Sequence, residues 1–141
     1  MKKTVKYILP LVCVLAFISC EKQYKIFEGE TQVAFALATY TFNVNSATNS
    51  VTIPVQLITN KPQGAVNANI TVDPATTCPA NAVTVPTSVT IDAGRFTTNL
   101  VITVNHANLN AGNANRLILD LKSDIKVAGN YGRVTITLNR Q

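Results

Sequence analysis

Between Val33 and Leu138, apolar side chains recur at every second position in one short run after another. Val33, Phe35 and Leu37 are spaced this way, as are Tyr40, Phe42 and Val44, and then Val51, Ile53, Val55 and Leu57. The spacing returns at Ala68, Ile70 and Val72, at Val83 and Val85, and at Val89 and Ile91. Leu100, Ile102 and Val104, then Leu117, Leu119 and Leu121, and finally Val134, Ile136 and Leu138 complete the series. Side chains of an extended chain alternate between its two faces, so period two means strands with one dry face and one wet face. No comparable stretch carries a helical period. Coiled coils, helical bundles and disordered tails are therefore disfavoured.

Polar and glycine-containing segments separate the runs. Asn45 to Asn49 forms a polar turn, Asn60-Lys61-Pro62-Gln63-Gly64 is a strong breaker, and Asp73-Pro74 ends a strand. Asp92-Ala93-Gly94-Arg95 predicts a tight hairpin link, with Gly94 supplying a positive φ. Asn105–Asn115 and Asp124–Gly132 predict loops. Pro54 interrupts a strand-like run and lacks an N–H, which predicts an edge strand or a bulge. Turns at this spacing predict an all-β, immunoglobulin-like antiparallel sandwich of about seven to nine strands over residues 32–141, with a small barrel as the alternative.

The amino terminus reads as a targeting segment. Lys2, Lys3 and Lys6 precede an apolar run from Tyr7 to Ile18, shorter than the roughly 20 residues of a membrane span. The end of that run, Phe17-Ile18-Ser19-Cys20, resembles a bacterial lipobox, with Phe17 where Leu is usual. The resemblance implies a lipoprotein signal peptide over 1–19, a lipidated Cys20, and a tether over 20–31. It also implies membrane attachment through acyl chains, each buried methylene contributing about 0.8 kcal/mol. The alternative is an ordinary secreted chain with an incidental cysteine. Glu21 follows Cys20 where an inner-membrane retention signal favours Asp, which points to the outer membrane. Cys20-Glu21-Lys22 loosely resembles the export signal of surface-displayed lipoproteins, so the cell surface is a further expectation.

Removing the leader changes the charge argument. The whole chain carries +5, but without the three leader lysines nine basic residues face seven acidic ones. A net +2 gives no reason to expect nucleic acid as a partner. Cys13 leaves with the leader and Cys20 becomes a thioether, so Cys78 has no partner for an intrachain disulfide. It reads as a small half-buried hydrophobe, with a catalytic or metal-binding thiol as the alternative.

The runs Val33–Phe42 and Ser50-Val51-Thr52-Ile53-Pro54-Val55 resemble the Calx-beta-like sandwich, as does Ser88-Val89-Thr90-Ile91-Asp92-Ala93-Gly94. So does a Leu-rich strand near the terminus, Arg116-Leu117-Ile118-Leu119-Asp120-Leu121. They resemble equally a related domain of unknown function found in lipoproteins of starch-utilisation-system type. This resemblance implies a fold and a glycan-handling neighbourhood rather than an activity. Calx-beta domains proper bind calcium through clustered loop acids, and calcium needs six to eight oxygens. Here Asn105–Asn115 contains no acid, while Asp73, Asp92, Asp120 and Asp124 are scattered, so neither a metal nor another cofactor is expected.

Catalytic signatures are equally thin. The chain has one histidine, His106, and no nucleophile elbow, metal-binding helix or phosphate loop. A Cys78–His106 pair is the one conceivable dyad, and a loop role for His106 is simpler. The expectation is a non-catalytic cell-envelope lipoprotein that serves as a binding or assembly module, associated with glycan capture or uptake. The alternative is a structural spacer or adhesin-type subunit without a small-molecule ligand. If a glycan binds, the candidate residues are Tyr131 and Arg133 in the last turn, with Asn113 and Asn115 in the Asn-rich loop. The ring would offer an apolar face, while the amides and guanidinium would offer directional hydrogen bonds. Tyr40 and Phe42 share the strand period and read as core.

Overall fold

The computed structural model describes residues 29–61 and 64–141, with Asn113 and Ala114 described in main chain only. The segment expected to be a signal peptide, Cys20 and most of the expected tether lie outside the described residues. Among the described residues ten strands form: β1 Gln32–Phe35, β2 Thr39–Val44, β3 Ser50–Ile58, β4 Val66–Val72, β5 Val83–Thr84, β6 Ser88–Ile91, β7 Thr97–Val104, β8 Gly112–Ser123, β9 Lys126–Val127 and β10 Arg133–Arg140. They make two five-stranded sheets, one ordered β5-β7-β3-β1-β9 and the other β2-β10-β8-β4-β6. The count exceeds the expected seven to nine by one, because β9 is a two-residue strand inside Asp124–Gly132, a segment that reads as a loop.

The period-two residues fill the space between the sheets. Val33, Phe35, Ile53, Val55, Ile102, Leu117, Leu119, Val134, Ile136 and Leu138 have no exposed surface. Tyr40 and Phe42 are half-buried and pack against that core. Their rings stack with centroids 6.1 Å apart.

The sandwich departs from a purely antiparallel one along one side. β1 pairs parallel with β9, Val33 opposite Val127. β2 then pairs parallel with β10, from Thr39–Thr135 to Val44–Arg140. The first and last segments of the domain thus run side by side and cross together from one sheet to the other. Main-chain bonds hold the crossing: Ala128 N–H to Val33 O at 3.0 Å, Phe35 N–H to Tyr131 O at 2.8 Å, and Thr135 N–H to Ala38 O at 2.9 Å. Leu37, expected inside by its spacing, is 55% exposed because the strand stops at Phe35 and the alternation has no sheet to act on.

Two other expectations change. Pro54 is not on an edge, since β3 lies between β1 and β7. Its carbonyl accepts from Ala36 N–H at 3.0 Å. Ala36 is the residue that follows β1, so the N–H that Pro54 lacks would have closed only the last rung of that ladder. Asp92–Arg95 is a tight turn, closed by Arg95 N–H to Asp92 O at 2.9 Å with Gly94 at φ 75°. It is not a hairpin, because β6 and β7 belong to different sheets.

Beyond Val72, the chain continues along β8 without strand geometry. Asp73 N–H donates to Ile118 O, and the Thr76 hydroxyl accepts from Ile118 N–H at 3.0 Å. The Thr77 hydroxyl accepts from Arg116 N–H at 3.2 Å. These hydroxyls occupy ladder positions that another strand would otherwise fill.

The crossing depends on a close approach at Gly132. A Cβ there would stand 2.6 Å from Val127 Cγ1 and 3.3 Å from Ala128 O, and a β-branched neighbour yields little. Gly132→Ala should cost about 1–3 kcal/mol in chemical denaturation, as overpacking does. Gly129→Ala meets nothing within 4 Å and should be neutral or stabilising by up to about 1 kcal/mol. Equal effects from the two substitutions would refute the packing account of the crossing.

Candidate functional site

The β8–β10 ladder separates the residues singled out in the sequence. Arg133 stands opposite Asp120, whereas Asn115 stands opposite Leu138. Five residues of strand lie between those registers, about 16 Å at 3.3 Å per residue. Tyr131 and Arg133 therefore sit near one end of the ladder, and Asn113 and Asn115 near the other. The four do not come together as one site.

Asn115 has no exposed surface. Its Nδ2 donates to Asn110 O at 2.9 Å and Leu138 O at 3.1 Å, and its Oδ1 accepts from Asn110 N–H at 2.8 Å. The amide is consumed in closing the turn around Gly112, whose φ is 75°. Asn113 lies in β8, with only its main chain described. Tyr131 is 44% exposed, and its own N–H and carbonyl pin its loop to Ala128 and Phe35.

Arg133 is engaged by two carboxylates. Its Nε donates to Asp120 Oδ1 at 2.7 Å and its Nη2 to Asp120 Oδ2 at 3.0 Å, while Nη2 also meets Asp73 Oδ2. The fork ties β10 to β8 and to the segment after β4. Among the described residues, no three His, Cys, Asp or Glu side chains converge as metal ligands. Asp73 and Asp120 do converge, but on the Arg133 guanidinium.

Two depressions open on the surface. One, of about 400 Å³, is lined by Val72, Thr76, Cys78, Ala80, Val83, Val85 and Leu117. Val72, expected in the core, is 50% exposed at its rim, because the segment after β4 lies along β8 instead of covering it. Burial pushes the Cys78 thiol upward, away from the thiolate a nucleophile needs.

The other depression, of about 310 Å³, is lined by Ser46, Thr48, Asn49, Val104, Asn105, His106 and Ala107. It lies where β2 hands over to β3 and β7 to β8, at the end opposite the entry of β1. Both of its walls are fixed. Asn45 Oδ1 accepts from Ala47 N–H at 2.9 Å, and Asn105 Oδ1 accepts from Ala107 N–H at 3.2 Å. His106 Nε2 lies 3.1 Å from the main-chain oxygen of Gln141. Cys78 and His106 thus line different depressions. Sequence reasoning passed over Ser46 and Asn49, and the one signal was a polar turn richer in hydrogen-bonding side chains than turning requires.

The Arg133 contact holds the Asp120 carboxyl below the usual carboxylate range. A carboxylate depressed by folding stabilises the fold above its unfolded value, about 3.9 for Asp. That contribution is lost as the pH falls through the folded value. Asp120→Asn should therefore lower Tm at pH 7, and the gap to the wild type should close as the pH drops below about 3.9. A gap unchanged down to acid unfolding would contradict the ion-pair role.

No family model matches the sequence, and no curated protein matches it. Solved structures do match. A protein of unknown function from Bacteroides ovatus aligns with TM-score 0.61 at 14% identity, over 75% of this chain and 43% of that one. A candidate carbohydrate binding protein from Bacteroides ovatus ATCC 8483 aligns with TM-score 0.58 at 16% identity, over 77% and 37%. The apo form of a Calx CBD1 domain aligns with TM-score 0.63 at 10% identity, over 79% and 97%. The aligned part is thus about two-fifths of each Bacteroides protein and nearly all of the Calx domain. At these identities the likeness concerns the fold, and the described residues have the fold of a Calx-beta-like β-sandwich.

Proposed function

We propose that this chain is a non-catalytic, lipid-anchored module of the outer cell envelope, exposed at the surface, that captures carbohydrate. The observation that carries the reading is the opposition of the domain's two ends. The chain enters at Gln32, beside Ile58 at the end of β3. The turns at 45–49 and 105–111 lie at the start of β3, eight residues away or about 26 Å. A tether fixed at Cys20 would present those turns outward from a membrane, and loops on rigid scaffolds are where binding residues concentrate. The lipobox-like Phe17-Ile18-Ser19-Cys20 supports the anchor. Likeness to the candidate carbohydrate binding protein supports the ligand class.

One observation favours the second reading, a spacer or adhesin-type subunit. β5 covers β7 only at Thr103 and Val104. The outer edge from Thr97 to Ile102 has no described strand beside it and no charged side chain, and uncharged edges invite strand addition.

The two readings separate in one experiment on cells producing the full chain or Cys20→Ala. The wild type should take up palmitate label and fractionate with membranes, whereas the variant should take up no label and keep its leader uncut; a cleaved, soluble variant would refute the anchor. The detergent-solubilised wild type should be retarded in gels containing at least one soluble polysaccharide. Membrane attachment without retardation in any gel would favour the spacer, and an unlabelled wild type would refute the anchor.

A further inference from the structure

The far-end depression contains hydrogen-bonding groups that the fold does not use. Among the described residues, the amides of Asn45, Asn105, Asn108 and Asn115 each bond to main chain and shape a turn. Ser46 and Asn49 are exposed, and their side chains bond to nothing in the described chain. They sit on a turn held rigid by Asn45 and by Thr48 N–H to Asn45 O at 3.0 Å. The opposite wall is equally fixed: Asn105 N–H donates to Ala82 O at 2.8 Å, and Val104 N–H donates to Asn49 O at 2.9 Å. His106 Nε2 lies 3.1 Å from the Gln141 oxygen, which leaves Nδ1 as the ring nitrogen that the described chain does not use.

Resting on the carbohydrate reading above, we infer that this depression is the saccharide site, and that its ligand is a neutral glycan. No Asp, Glu, Lys or Arg lines it. A charged sugar would therefore enter without a counter-charge, whereas a neutral one exchanges hydroxyl hydrogen bonds with water for equivalent bonds to an amide, a hydroxyl and an imidazole. The main chain that carries these groups is already held in place by its turn bonds and loses little freedom on binding, which favours association. Val104 and Ala107 supply a small apolar floor for the C–H face of a ring. With no Trp, Tyr or Phe in the lining, a single site should bind at about millimolar strength, near −4 kcal/mol. Avidity would then come from many anchored copies on one polymer.

The test uses full-length protein in detergent, electrophoresed through gels containing one neutral polysaccharide each (starch, xylan, mannan or laminarin) or one acidic one (pectate or alginate). The wild type should be retarded by at least one neutral polymer and by neither acidic polymer. Ser46→Ala/Asn49→Ala, which removes exposed groups without packing roles, should weaken that retardation by tenfold or more at unchanged Tm. Tyr131→Ala should retain it. If Tyr131→Ala abolishes retardation and the double variant keeps it, the site is elsewhere while the carbohydrate reading survives. Retardation by acidic polymers alone overturns the neutral class. A wild type retarded by no polymer overturns the carbohydrate reading itself, and this site with it.

Discussion

The parallel run of the first and last segments is the constraint on which the rest of the sandwich depends. A sheet buries its apolar face only if another layer covers it, and two stacked sheets still leave open sides where that core meets water. Along one of those sides, β1 and β9 followed by β2 and β10 cross jointly, so the same pair of chains belongs to both layers. The bonds at Val33, Phe35 and Ala38 convert what would be two loops into a continuous seam. Because the seam joins opposite ends of the domain in sequence, its contacts are long-range, and such contacts form late and slowly in folding.

Most of the core was legible in the sequence, and the reason is local. Pleating fixes alternation residue by residue, so Ile53, Val55, Leu117, Leu119, Ile136 and Leu138 could be assigned to the interior without knowing their neighbours. The failures share the opposite cause. Leu37 and Val72 keep the spacing but lie where the covering layer ends, which is a property of other strands. Pro54 is tolerated in a central strand because β1 happens to stop beside it. Parallel pairing left no local mark, since β2 looks the same whichever neighbour it takes.

The candidate site was less legible because asparagine serves two ends with one side chain. An amide satisfies main-chain groups in a turn as readily as it meets a ligand. Asn115 was read as a ligand contact and is a buried turn clamp, whereas Asn49 was read as turn punctuation and has its amide free. Arg133 shows the same ambiguity for charge. Its place near a loop suggested recognition, yet Asp73 and Asp120 already occupy its fork. Only the partners of each side chain separate those roles, and partners are set by the tertiary fold.

Native-state amide hydrogen exchange tests the seam most directly. The amides of Phe35, Ala128 and Thr135 donate across it. If the two terminal segments lock the sheets together, these amides exchange only through global unfolding, with the same opening free energy as the central ladder between β8 and β10. Exchange through local opening, at a free energy several kcal/mol below that ladder, would mean that the crossing frays while the sandwich persists, and would contradict the account.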